Sequence, residues 1–148
     1  MGCSSLSNSS LPGPPNNFDV DILDISYNPE FVNITAELFQ HFTSLKLVMM
    51  HGLTDINLFD AVFENQNSLK IIDFTGSTIS SVGADVFSGL PSLEAIFGLR
   101  LDEVPENLFD SLGNLKQLTM TVQSDSIPDN LFRVSNAESL FTCFFLPL

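Results

Sequence analysis

Apolar residues recur along this chain at one long period. Phe39, Phe63, Phe87, Phe109 and Phe132 follow one another at nearly even intervals, with the step from Phe87 to Phe109 the shortest. An aliphatic residue lies five positions before each of them: Ile34, Leu58, Val82, Val104 and Ile127. Another lies immediately before each: Leu38, Val62, Val86, Leu108 and Leu131. Leu45, Leu69, Leu93 and Leu115 follow the first four rings by six positions. Agreement of four positions at one period makes the chain a repeat array, and that reading takes precedence over local ones.

After each leucine the pattern is L-x-x-L-x-L. The sets are Leu45/Val48/Met50, Leu69/Ile72/Phe74, Leu93/Ile96/Gly98 and Leu115/Leu118/Met120. An earlier copy reads Val20/Leu23/Ile25 and closes at Asn28. A last copy reads Leu140/Cys143/Phe145 if two residues are inserted near Asn136-Ala137. Six copies result, each of roughly 22–25 residues, a length typical of solenoid repeats.

Each short alternating stretch predicts a strand. Connections of about 20 residues between strands predict parallel pairing, and stacking such units gives one parallel sheet on a concave side. The leucine positions then point inward, and the phenylalanines stack as a second internal column. The Phe-to-Leu stretches, such as 39–45, predict short helical turns on the convex side. The expected fold class is an α/β solenoid.

Residues between the leucines project onto the concave face. The first column is Ile22, Leu47, Ile71, Ala95 and Gln117; the second is Asp24, Met49, Asp73, Phe97 and Thr119; the third is Ser26, His51, Thr75, Leu99 and Thr121. The first is apolar for four repeats running, and Met49, Phe97 and Leu99 extend it. An apolar stripe of this kind marks a contact surface, with Asp24 and Asp73 as its polar edges. The competing reading is a greasy sheet tolerated in a divergent copy.

The pattern resembles the leucine-rich repeat family, in its 22–25-residue form common in extracellular proteins, over residues 18–148. Segments such as Val86-Phe87-Ser88-Gly89-Leu90-Pro91-Ser92-Leu93 and Leu108-Phe109-Asp110-Ser111-Leu112-Gly113-Asn114-Leu115 look like its linking segments. The resemblance implies an arc-shaped solenoid, a protein partner taken by the concave face, and extracellular or secreted work in recognition or adhesion. The family's asparagine, eight residues after the first leucine, survives only as Asn28; Leu53, Ser77, Leu101 and Gln123 stand at the equivalent places. Ser, Gln, water or backbone must replace most of that ladder.

Composition adds limits. The 148 residues carry 5 Lys+Arg against 18 Asp+Glu, a formal net charge of −13. So few cations cannot neutralise many phosphates, which disfavours nucleic acid and a basic membrane-surface patch. An apolar share of 44% is too high for a disordered acidic chain. Phe occurs 14 times, Tyr once and Trp never, an excess that the ring column absorbs. Residues 1–17, rich in Ser, Asn, Pro and Gly, read as a flexible tail. No run approaches the ~20 apolar residues of a membrane span, and no signal peptide is visible. Met1-Gly2-Cys3 lacks the Ser or Thr that the myristoylation pattern needs at position six, where Leu6 stands. Asn8 and Asn33 begin N-x-[ST] sequons and are glycosylation candidates.

No catalytic or metal-binding constellation emerges. His41 and His51 have no metal-ligand spacing. The densest carboxylates, Asp19/Asp21/Asp24 and Asp102/Glu103/Glu106, read as solvated acidic surface, with no facing pair in a cleft and no EF-hand loop. Cys3 and Cys143 form no disulfide framework, and only slack in the tail would bring them together. No cofactor is expected.

The leading expectation is therefore a non-enzymatic protein-binding module. A second is the non-catalytic subunit of a secreted enzyme complex, since the Phe-rich linkers look similar to arthropod leucine-rich proteins such as the oplophorus shrimp luciferase subunit. A third is a fragment without an independent role. The pattern stops inside a strand at Thr142–Leu148, which would leave an apolar edge open to self-association.

Overall fold

In a computed structural model, residues 19–124, 128, 129 and 131 are described in full, and 140–145 by their backbone. The chain winds as a parallel-strand solenoid. Strands β1 (Ile22–Asp24), β3 (Leu47–Met49), β5 (Ile71–Asp73), β7 (Ala95–Leu101), β8 (Gln117–Val122) and β9 (Leu140–Phe145) form one six-stranded sheet in that order. Every pairing is parallel, as the connection lengths require.

The side opposite departs from the expected helical turns. Only one short helix is found among the described residues, α1 (Ala36–Phe39). The other Phe-to-Leu segments are turns. Beside them runs a second parallel sheet, made by β2 (Asn33–Ile34), β4 (Ile56–Leu58) and β6 (Ile79–Val82) in that order. Its inward residues include Ile34 and Leu58, two of the aliphatics that precede each phenylalanine by five. Their recurrence reports a strand because they seal the core from the convex side, and very short strands suffice to do so. Asn33 Oδ1 accepts from Asn57 Nδ2 at 3.0 Å, and Asn57 Oδ1 accepts from the Ser81 hydroxyl at 2.7 Å, a polar ladder on the outer face of this sheet.

Between the sheets runs the ring column. Phe39, Phe63, Phe87 and Phe109 are at most 1% exposed. Their centroids are 5.0, 6.3 and 5.9 Å apart, tilted in the first pair and nearly parallel in the other two. These spacings lie within the range of favourable aromatic pairs. Leu45, Leu69, Leu93 and Leu115 line the core beside them. Phe132 lies outside the described residues.

Two register readings change. The repeat pattern puts Gly98 inward and Leu99 outward. Instead β7 bulges: its pairing with β8 shifts between Ile96 and Leu99, so that Leu99 stands level with Met120. Gly98 takes φ +65°, and its N–H donates to Thr119 Oγ1 at 2.8 Å. A Cβ there would lie 2.5 Å from Thr75 Cα, so only glycine fits. The bulge exists because glycine offers the core no side chain, and one extra residue swings Leu99 inward, where it is fully buried. In the last copy, Leu140 pairs with Gln117 and Cys143 with Met120, and the register is unbroken between them. Leu140 is therefore not the counterpart of Leu115, and the sheet shows no two-residue offset. The segment expected to carry that insertion, 132–139, lies outside the described residues.

The ring column makes a direct prediction. Phe63→Ala removes a ring stacked between two neighbours and should cost about 3–5 kcal/mol of unfolding free energy. Urea titration followed by far-ultraviolet circular dichroism measures it.

Candidate functional site

The concave columns are assembled largely as the pattern places them. Ile22, Leu47, Ile71, Ala95 and Gln117 are consecutive partners across five strands. Asp24, Met49, Asp73 and Phe97 form the second column in the same way, and Thr119 lies opposite the bulge that follows Phe97. Ile22 is 52% exposed, while Leu47, Ile71, Met49 and Phe97 are partly exposed. Ala95 is buried between its neighbours at 5%. The apolar surface is thus Ile22, Leu47 and Ile71 in a row, flanked by Met49 and Phe97. Leu99, expected on this face, is in the core. Arg100 takes its place in the third column, paired with Thr121 and exposed.

Polar residues border this surface in a fixed arrangement. Asp24 Oδ1 accepts from Ser26 N–H at 2.9 Å, and the Ser26 hydroxyl accepts from His51 N–H at 3.0 Å. Asp73 Oδ1 accepts from Thr75 N–H at 2.9 Å and from the Thr75 hydroxyl. Each Asp-x-Ser/Thr pair thus closes its own strand end, as such side chains do in turns. His51 Nε2 lies 3.0 Å from Asp73 Oδ2, an ion-pair distance without good hydrogen-bond geometry. Ser26 holds the Asp24 carboxyl below its ordinary range; partial burial opposes this and His51 assists. For Asp73 burial acts upward, but Thr75 and His51 together outweigh it, and the net shift is downward.

The missing asparagine ladder is replaced in one repeat by Ser77, which is 3% exposed. Its hydroxyl donates to Met50 O and accepts from Leu53 N–H at 2.8 Å. The left-handed turns that follow the third column fall at Tyr27, Gly52 and Gly76, with φ of 57°, 61° and 76°. Tyr27, 76% exposed, leans over Gly52, where a Cβ would lie 2.5 Å from its ring. Sequence reasoning missed this residue. Its signal was the alignment of the chain's single tyrosine with two glycines one period apart.

The other candidates separate from this face. Asn33 is exposed on β2, in the convex sheet. Asn8 and Cys3 lie outside the described residues. Among the described residues no group of three or more His, Cys, Asp or Glu could hold a metal ion, and no helix is long and apolar enough to cross a membrane.

The family model for the BspA type leucine rich repeat region (6 copies) matches residues 17–94 and 57–143. These matches span most of the chain, which belongs to this leucine-rich repeat family. Such repeats are generally non-enzymatic and mediate protein binding. No curated protein matches the chain, and the likeness to the luciferase subunit finds no support in the comparisons.

The lowered carboxyls set an acid dependence. A carboxyl whose folded value is depressed stabilises the fold above its unfolded value, near pH 4, and loses that contribution as the pH falls through the folded value. Relief of the chain's general acidic repulsion acts in the opposite direction, so the informative quantity is the difference from a variant. Asp73→Asn should be less stable than the parent at pH 6, and the gap should narrow towards pH 3 in urea titrations.

Proposed function

We propose that the chain is an extracellular recognition module that takes a folded protein partner on its concave sheet. The observation that carries this reading is the row Ile22, Leu47 and Ile71, side by side on adjacent strands and partly exposed. Leaving a large aliphatic side chain in water forgoes about 1.5–3 kcal/mol relative to full burial. A row of three, extended by Met49 and Phe97, is a contiguous patch rather than scattered surface apolarity. Asp24 and Asp73 alternate with Met49 and Phe97 in the second column, and His51 and Arg100 lie beyond them, so polar groups border the apolar row on that side.

Dimensions favour a protein epitope. Six strands at about 4.8 Å give a sheet roughly 24 Å across, too broad and open for a drug-sized ligand. A standard interface buries about 800 Å² on each partner, more than the short strands β1, β3 and β5 that carry the apolar row present, so the contact would continue onto the turn that carries Tyr27. An amphipathic, exposed tyrosine beside an apolar patch has the character of an interface anchor.

The extracellular assignment rests on the family, whose members are often surface or secreted proteins. Asn33, exposed and opposite the concave face, would carry a glycan clear of the partner. Self-association and a non-catalytic role in an enzyme complex have no observation that favours them over this reading.

Leu47→Asp places a charge in the centre of the apolar row, and Phe97→Asp places one at its flank. Each should lower partner affinity at least tenfold while leaving the circular dichroism spectrum unchanged. Affinity capture from extracellular fluid, with wild-type chain and both variants as bait, provides the measurement. Equal recovery of the same proteins on all three would refute the concave site.

A further inference from the structure

The convex sheet stops at β6. Its order is β2-β4-β6, and the next repeat adds no strand to it. By alignment on the phenylalanines, Leu101-Asp102-Glu103-Val104 corresponds to Ile79-Ser80-Ser81-Val82, the residues of β6. Leu101, however, still belongs to β7 and pairs with Val122 across the concave sheet. The step from Phe87 to Phe109 is two positions shorter than the step before it, and the bulge at Gly98 uses one residue more. The chain therefore lacks the length to complete a convex strand. Pro105, which has no N–H to give, follows.

A cleft of about 480 Å³ results between β6 and the segment Leu101–Pro105. Three features define its chemistry. The first is an open backbone edge. Gly83 N–H donates towards β4, to Leu58 O at 2.9 Å. Successive residues of a strand direct their backbone groups to opposite sides, so Val82 presents its N–H and C=O to the cleft. The second is a wall in which Val82 is the partly exposed apolar side chain, while Ile79, Leu101 and Val104 border the cleft but turn into the core. The third is an acidic rim. Asp102 and Glu103 are exposed and make no ion pair among the described residues. The lysines Lys46, Lys70 and Lys116 are paired with Asp21 and Glu94 elsewhere. Asp102 Oδ1 accepts from the Gln123 amide at 3.2 Å when that amide is turned, and the same amide then accepts from Arg100, bridging the two without a direct ion pair.

We propose that this cleft is a second protein-binding site, which takes an extended, lysine- or arginine-bearing segment of a partner as an added strand on β6. Edge addition supplies main-chain hydrogen bonds, and pockets for alternate side chains supply selectivity. The four residues of β6 offer about 13 Å of edge, and the volume is that of a pocket for a short peptide segment. Side chains turned inward would meet Val82 and the backbone of the cleft wall. Those turned outward would meet Asp102 and Glu103, which is why the occupant is basic. The site is independent of the concave face and does not rest on the function proposed for it.

A fluorescein-labelled hexapeptide, KTVKVK with blocked ends, tests this with the full chain. Fluorescence anisotropy at low salt should show saturable binding below about 1 mM, and amide exchange of Val82 should slow on saturation. Alternate backbone N-methylation of the peptide, which removes strand donors and keeps its charge, should cost tenfold or more. The double variant Asp102→Asn with Glu103→Gln should weaken binding roughly threefold to tenfold, the effect of losing two exposed charge contacts. Leu47→Asp should leave it unchanged. The proposal is overturned if the peptide fails to bind at about 1 mM, if the methylated peptide or ETVEVE binds equally well, or if Val82 exchange is unaffected at saturation.

Discussion

The fold depends on the stacking of one aromatic ring per turn. Phe39, Phe63, Phe87 and Phe109 contact one another in sequence, fully buried, at centroid distances of 5.0 to 6.3 Å. A stacked ring fixes the rise from one coil to the next. That rise must also match the strand spacing of about 4.8 Å in the sheets on either side. The whole solenoid is therefore a compromise between two repeat distances, and tilt in the first ring pair is one way of meeting it. Polar groups in the same layer serve the same end. Gln66, buried, donates its amide to Phe39 O and Phe42 O and ties its coil to the one before. The Ser111 hydroxyl donates to Phe87 O two levels further on.

A constant rise leaves sequence length as the free variable, and its changes appear at the surfaces. Where the ring spacing is shortest, from Phe87 to Phe109, the concave strand is kept and the convex strand is lost. The energetic order is clear from what each strand buries. The concave strand β7 continues through Leu99 and Leu101, both in the core. The convex strand contributes only short pairing and a cover for the rings, and Val104, 9% exposed, still provides part of that cover. Shortening thus costs little in burial and opens an edge. Both candidate binding surfaces follow from the same rule. The core claims its columns first, and what is left exposed on each face is the sequence that stacking did not need.

Charge is arranged to the same plan. The cationic Lys46, Lys70 and Lys116 lie at the entries of the concave strands, and their ion pairs with Asp21 and Glu94 bridge adjacent coils. Such exposed pairs contribute little to stability, but they align neighbouring strand starts. Lys116, and to a lesser degree Lys70, hold the Glu94 carboxyl below its usual range. The excess of acids, a net charge of −13, keeps copies of the chain apart by repulsion.

The sequence by itself determined the repeat, its period, the ring column, the parallel concave sheet and nearly every member of the first two outward columns. These follow because stacking forces identical residues in successive coils to share one environment, so periodicity alone reveals who faces inward. It was silent where a position departs from its column. The glycine at 98 looked like a weak inward residue, and only the close approach of Thr75 shows why the chain bulges there and Leu99 turns into the core. The convex sheet was hidden because its strands are too short for an alternating pattern to declare them. Tyr27 was legible only as an isolated aromatic until the left-handed turn placed its ring over Gly52. The open edge of β6 was decided by tertiary structure alone. Whether a short repeat gives up its inner or its outer strand depends on which one buries more side chain, and that balance exists only once neighbouring coils are packed together.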